Sequence, residues 1–134
     1  VIYADVFEHL PDPNCELRML HALLPEDGKV YMEMPGVRYI EENYQSDILL
    51  YLQNAHVYHF TLTTFFNLIA RHGFTMIEGT EEVSCLFKKS AQGTASDVIC
   101  NDFFATFKFL QVMERDKMMS FLRQRSDREQ RSGE

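Results

Sequence analysis

Hydrophobic positions along this chain follow strand-like and helix-like spacings in alternation. Residues 1–4 form a short apolar run, and residues 29–34 form a second in which Val30, Met32 and Met34 lie on one face. The segment between the two runs has leucines at helical spacing, namely Leu17, Leu20, Leu23 and Leu24. Strands that alternate with helices predict an α/β fold with parallel pairing.

Residues suited to helix ends mark the limits of two helices. Asp12 is a plausible N-cap with Pro13 at the first helical position, and the run from Pro25 to Gly28 ends that helix. Thr61 is placed to cap a second helix that runs to about His72. Gly73 then suits the left-handed position that follows a helix.

Three further apolar runs follow along the chain. Residues 74–77 and 83–87 are expected to pair as an antiparallel hairpin, and residues 48–52 suggest a short helix that lies over a site. Residues 92–94 have the composition of a linker, after which Ser96 or Asp97 can cap a last helix.

The last predicted helix has an apolar stripe formed by Phe103, Phe107, Leu110 and Met113. Such a stripe is typical of a core face or of a self-association face, and this chain leaves both interpretations open. The segment from Arg123 to Glu134 is strongly charged, so we expect it to fray.

Composition narrows the class of protein. The 134 residues are 46% hydrophobic, which suffices for a packed core, and the net charge of −7 argues against a nucleic-acid partner. Apolar runs fall well short of the ~18 residues that a membrane span requires. The three cysteines are widely spaced, so neither a disulfide framework nor a cysteine zinc site is expected, and a reducing, cytoplasmic location is predicted.

Three segments carry a family resemblance. They are Asp5–Pro13 (DVFEHLPDP), Leu23–Val30 (LLPEDGKV) followed by Glu33–Pro35, and His56–Thr61 (HVYHFT) followed by Arg71–Phe74. In this order and spacing they resemble the later half of class I S-adenosylmethionine-dependent methyltransferases. One departure is Asp27, where the family usually has the first glycine of a turn.

The resemblance implies an α/β fold that is the second half of a Rossmann-like methyltransferase sheet, with parallel strands, a terminal antiparallel hairpin and a C-terminal helix. It places residues 1–92 in the methyltransferase domain and residues 93–134 in the helix and charged tail. Because the chain opens at Val1 within a strand, we expect it to be part of a longer domain. The family's glycine-rich cofactor loop is not found in the sequence, so this chain alone is expected to bind cofactor weakly or not at all.

The resemblance also assigns a cofactor-binding run, made of Asp5, Val6, Phe7, Glu8 and His9. Asp5, Val6 and Phe7 would border the methionine and sulfonium of S-adenosylmethionine, where a carboxylate favours the positive sulfur. The alternative for Asp5 is a loop-capping role, and for Glu8 and His9 it is a hydrogen bond that holds the loop.

His56 and His59 are the candidates for the general base that removes a proton from a neutral acceptor. Each can instead be a buried or capping histidine. Some methyltransferases bind a divalent ion through an acidic-x-x-Glu-His run and a later histidine. A magnesium-type ion would here be bound by Asp5, Glu8 and His9, with His56 or His59.

The predicted function is therefore methyl transfer from S-adenosylmethionine to a small-molecule or sugar-like acceptor, with no nucleic-acid or membrane partner. Two alternatives stay open. One is a non-catalytic methyltransferase-like domain that associates with itself through the last helix. The other is a metal-assisted O-methyltransferase.

Overall fold

A mixed four-stranded sheet forms the centre of the computed structural model, which describes residues 1–52, 55–90 and 100–132. The strands are β1 (Ile2–Ala4), β2 (Lys29–Glu33), β3 (Phe74–Gly79) and β4 (Ser84–Lys89). Their order across the sheet is β1-β2-β4-β3. β1 and β2 are parallel, whereas β4 is antiparallel to both β2 and β3.

The α/β class, the parallel pair and the antiparallel hairpin are confirmed. The position of β4, between β2 and β3, is a feature that the sequence analysis did not predict. It places the second strand of the hairpin in the interior of the sheet, where Cys85 and Phe87 are fully buried. The pattern of strands and turns predicts the hairpin, but it does not predict which of the two hairpin strands pairs with β2.

Helices surround this sheet. They are α1 (Pro13–Leu23), α2 (Ile40–Tyr44), α3 (Ile48–Tyr51), α4 (Leu62–Arg71) and α5 (Phe103–Ser132). Two single 3₁₀ turns, Phe7–His9 and Val37–Tyr39, follow β1 and β2. The short helix predicted at 48–52 is observed as α3, and its position over a site stays a prediction.

The predicted helix caps are present. The Asp12 side chain accepts a hydrogen bond from the backbone amide of Cys15 at 2.9 Å, with Pro13 in the first turn of α1. Thr61 and Thr64 form a reciprocal capping box at the start of α4. Gly73 follows α4 with φ of +76°, the conformation that favours glycine.

The main core lies between the sheet and helices α1 and α4. Val30 and Met32 of β2 are fully buried, and Leu17 of α1 and Phe65 and Ile69 of α4 pack with them. The alternation along β2 predicted this face correctly. A smaller cluster joins α2, α3 and α5 and consists of Val37, Ile40, Tyr51 and Met113.

The last helix extends further than predicted, and its apolar stripe is only partly buried. It continues to Ser132 rather than fraying after Arg123, and a 3.0 Å ion pair between Arg125 and Glu129, one turn apart, supports that stretch. Of the predicted stripe Met113 is buried, whereas Phe103 and Phe107 are at least half exposed. The linker at 92–94 and the caps proposed at Ser96 or Asp97 lie outside the described residues.

Candidate functional site

The loop after β1 lies where the two parallel strands end. The backbone amide of Asp5 donates to the carbonyl of Glu33, the last residue of β2, at 3.1 Å. Asp5 has φ of +52°, an uncommon conformation for a residue with a side chain, and it turns the chain away from the strand. Asp5 and Val6 are exposed at this edge, which is where open α/β sheets bind ligands.

Phe7 anchors this loop to the main core. Its side chain is fully buried, and its ring meets those of Phe65 and Tyr3 edge-on, at centroid distances of 5.6 and 6.4 Å. The side chain is therefore part of the core. Any contact between this residue and a cofactor would come from its backbone.

Glu8 joins the loop to the segment that carries the histidines. Its backbone carbonyl accepts hydrogen bonds from the amides of Val57 and Tyr58, at 3.0 and 3.2 Å. Its side chain is only 2% exposed, and neither carboxylate oxygen has a hydrogen-bond partner among the described residues. A buried carboxylate without a partner is costly, so the arrangement favours a positively charged ligand or ion beside Glu8.

His9 faces this carboxylate. Its Nδ1 lies 2.7 Å from the carbonyl oxygen of Ala55, and because a carbonyl only accepts, Nδ1 carries the proton. Nε2 lies 3.7 Å from Oε1 of Glu8, longer than a hydrogen bond. In the neutral ring, Nε2 therefore presents a lone pair close to the Glu8 carboxylate.

His56 completes a group of three with Glu8 and His9. The rings of His56 and His9 are 4.9 Å apart between centroids, and one donor atom from each of the three residues lies within 4.8 Å of the others. The predicted metal-binding set is thus brought together in part. Within the described residues this group includes His56 rather than His59, and Asp5 is not a member.

His59 lies next to this group. Its ring centroid is 6.0 Å from that of His56 and 4.8 Å from that of Tyr51. Burial, with a smaller contribution from His56, lowers the pKa of His59 below 6.5, so the ring is neutral at pH 7. Its Nδ1 is buried without a hydrogen-bond partner in the described part of the chain.

Two tyrosines of the α2–α3 segment were missed by the sequence analysis. Burial raises the pKa of Tyr44, and the nearby carboxylates Asp5 and Glu8 raise it further. Tyr51 is 1% exposed, donates to the carbonyl of Pro35 at 3.1 Å and meets the ring of Tyr44 edge-on. The segment was predicted to lie over a site, but no spacing rule indicated which of its side chains turn inward.

A cleft of about 420 Å³ is lined in part by His59. One wall comes from Val37 and the start of α4, and the other comes from the residues that begin α5. The lining residues from that second wall are Cys100, Asn101, Asp102, Phe103, Thr106, Phe107 and Leu110. His59 therefore borders both the Glu8–His9–His56 group and a cleft with a mostly apolar lining.

A family model described as a methyltransferase domain matches residues 1–78. The chain belongs to the class I S-adenosylmethionine-dependent methyltransferases. The match covers part of the domain and includes the loop at Asp5–His9 as well as His56 and His59. No curated protein and no solved structure matches the chain.

In this methyltransferase the matched region contains the candidate site. The fold places Glu8, His9 and His56 in one group with His59 beside it, and it leaves Asp5 and Val6 exposed at the strand ends. The roles of these residues stay predictions. Among the described helices, none combines the length and the apolar character that crossing a membrane requires.

Proposed function

We propose that this chain contributes part of the active site of an enzyme that transfers a methyl group from S-adenosylmethionine to a small-molecule or sugar-like acceptor. The observation that carries the proposal is the overlap of two features. The methyltransferase match covers residues 1–78, and within it titratable side chains meet at the carboxyl ends of the parallel strands.

The chemistry of the cofactor fits this edge of the sheet. The reactive sulfur of S-adenosylmethionine is positively charged, and the exposed Asp5 and the unpartnered Glu8 both supply negative charge there. Burial raises the pKa of Tyr44, and the negative charge of Asp5 and Glu8 raises it further. The methyl transfer itself is a displacement that needs alignment of acceptor and cofactor more than activation.

A neutral acceptor must also lose a proton, and His59 suits that step. A general base has to be unprotonated at the working pH, and burial keeps the pKa of His59 low enough for this. His56 is the second candidate and lies between His59 and His9. The proposal includes a Rossmann-like arrangement for the whole domain. It also includes a cytoplasmic location, and the three free cysteines support that location.

Calorimetric titration of S-adenosylmethionine into the protein that carries this chain tests the proposal. Two exposed aspartates with positive φ make a matched pair, because Asp5 follows β1 and Asp27 precedes β2 at the opposite edge of the sheet. Asparagine tolerates this backbone conformation, so Asp5→Asn and Asp27→Asn change charge alone.

We expect Asp5→Asn to weaken cofactor binding about tenfold, or ~1.4 kcal/mol, and Asp27→Asn to leave it unchanged. No saturable binding of S-adenosylmethionine to the unaltered protein would contradict the proposal. Binding that both variants weaken equally would contradict the role of Asp5.

A metal-assisted O-methyltransferase is the second candidate, and the Glu8–His9–His56 group favours it. The Glu8 oxygens accept no hydrogen bond from the described residues, and the Nδ1 proton of His9 is donated to the Ala55 carbonyl, as is usual for a metal-binding histidine. One carboxylate with two imidazoles suits manganese or zinc better than the magnesium-type ion that the sequence analysis considered as an alternative. Such an ion would polarise an acceptor hydroxyl.

Titration of manganese, zinc and magnesium chlorides into the same protein separates the two candidates. The metal-assisted function predicts saturable manganese or zinc binding that His9→Gln abolishes. His72→Gln serves as the control because His72 lies at the end of α4, where its Nε2 contacts Asn14. Absence of binding at millimolar metal excludes this candidate and leaves the metal-free methyltransferase.

We further propose that α5 allows the chain to associate with itself. The helix exposes several apolar side chains, including Met118, Met119 and Phe121. Sedimentation of the protein against a Phe121→Asp variant measures this. A protein that is monomeric at high concentration without the substitution would contradict the proposal.

A further inference from the structure

The cleft between His59 and the first turns of α5 has a chemistry of its own. Its second wall carries two phenylalanines, Phe103 and Phe107, whose rings stack at a centroid distance of 6.0 Å with only 9° between their planes. Leu110 and Val37 extend the apolar surface. Stacked, parallel rings offer a flat apolar face suited to another planar ring.

The position of this wall is fixed by polar contacts with the methyltransferase body. The side-chain amide of Asn67 on α4 donates to the carbonyl of Cys100 at 2.7 Å, and its oxygen accepts from the Cys100 amide at 3.2 Å. Arg38 donates to the carbonyl of Ala105 at 3.3 Å and lies over the Phe109 ring. The start of α5 is therefore held against the cleft from both sides.

Charge excludes an anionic occupant. The cleft lining includes Asp102, whose carboxylate accepts a hydrogen bond from Thr106, and no lysine or arginine of the described chain lines it. A phosphate or sulfate group would meet negative charge without a counter-charge. The apolar walls also offer few partners for the hydroxyls of a sugar.

We propose that this cleft selects the methyl acceptor, and that the acceptor is a neutral aromatic alcohol. Its ring lies against Phe103 and Phe107 while its hydroxyl points to His59. The inference rests on the proposed function and narrows its acceptor from small molecules in general to this class. The family match ends at residue 78, so the wall formed by α5 lies outside the shared region and supplies the selectivity.

The proton balance of the step is simple. The hydroxyl oxygen forms a bond to the methyl carbon as the carbon–sulfur bond breaks, and the bonding electrons leave with the sulfur. The neutral ring of His59 takes the hydroxyl proton and becomes an imidazolium, which later releases the proton to water. No oxidant or further reactant is needed.

Calorimetry with three probes tests the inference without the cofactor. The probes are 2-naphthol, 2-methoxynaphthalene, in which the hydroxyl is already methylated, and methyl glucoside, which is a sugar without an apolar ring. We expect 2-naphthol to bind more tightly than 2-methoxynaphthalene and methyl glucoside not to bind. Addition of 2-naphthol should shift the ring resonances of His59 in NMR spectra.

Two neighbouring phenylalanines supply the variants. Phe107 lines the cleft, whereas Phe104 is 81% exposed and lies outside it. Phe107→Ala should weaken 2-naphthol binding about tenfold, and Phe104→Ala should not change it. Equal effects of the two variants, glucoside binding as tight as that of 2-naphthol, or an unchanged His59 signal would overturn the inference.

Failure of the cleft inference can be distinguished from failure of the proposed methyl transfer. If 2-naphthol binds as expected but receives no labelled methyl group from S-adenosylmethionine, the acceptor cleft stands and methyl transfer fails. If methyl transfer occurs to other acceptors while 2-naphthol does not bind, the function stands and the cleft assignment fails.

Discussion

The body of the chain, residues 1–90, and the long helix α5 are built in different ways. The body buries most of its strand and helix faces in one core, in which Phe65 and Met32 have no exposed surface. In the described part of α5 only Met113 is buried, and Phe109 and Leu110 pack with it against the small cluster of α2 and α3, while Arg38 adds a hydrogen bond to the Ala105 carbonyl. The difference indicates that the body carries most of the core and the candidate site, whereas α5 supplies one wall of the cleft beside it.

The largest expected effect tests the core of the body. Phe65 meets the rings of Phe7, Phe60 and Phe87, so Phe65→Ala should lower the free energy of unfolding by about 3–5 kcal/mol. Urea unfolding followed by circular dichroism measures it. Phe104→Ala on α5 is the control and should change stability by less than about 0.5 kcal/mol. Similar losses from both would remove the contrast between body and helix.

A smaller effect is expected where the two regions meet. Met113 packs with Val37, Ile40 and Tyr51, and Met113→Ala should cost about 2 kcal/mol because it removes a buried side chain from a small cluster. Hydrogen exchange should then accelerate in α5 while the strands keep their protection.

Met118→Ala, on the same helix, is the matched control because Met118 is 60% exposed. Uniform acceleration across body and helix in Met113→Ala would show that the two regions unfold as one unit.

The capping box of α4 gives the next effect. Thr61→Ala removes the hydrogen bond from the Thr64 amide to the Thr61 hydroxyl, 3.1 Å long, and should cost about 1 kcal/mol. Thr63→Ala leaves both capping bonds in place. Thermal unfolding of the two variants compares them, and an equal shift in Tm would argue against the cap as the cause.

The smallest expected effect on stability comes from protonation of His59, which borders the cleft between the body and α5. Because burial lowers the pKa of His59, the unfolded chain binds a proton there before the folded chain does as the pH falls below 6.5. The contribution of His59 to stability is therefore present above that pH, falls as the pH drops towards the lowered pKa, and levels off below it.

NMR titration of the His59 ring should give a midpoint below 6.5, and His56→Gln should raise this midpoint because the charge of His56 lowers it. A midpoint above 6.5 would contradict the base role proposed for His59.

Local patterns predicted most of the body. The alternation of Val30 and Met32, the cap at Asp12 and the glycine at Gly73 each depend on neighbours along the chain, and each is observed where expected. The insertion of β4 between its two neighbours depends on contacts between distant residues. It could not be derived from spacing.

The site divides in the same way. The Glu8–His9 run and His56 came from family resemblance, and the structure brings them together. Tyr44 lies in a segment where neither periodicity nor resemblance applied, and the periodicity that includes Phe107 predicted an apolar stripe but not a cleft wall. Their placement depends on how α2 and α5 pack against the strand ends.

The most direct test of the central claim is an NMR titration of S-adenosylmethionine into the isotope-labelled protein that carries this chain. The account predicts saturable shifts at the amides of Asp5 to His9 and at His56 and His59, with the distal half of α5 unaffected. Shifts confined to α5, or none that saturate, would contradict the assignment of a methyltransferase site to the carboxyl ends of β1 and β2.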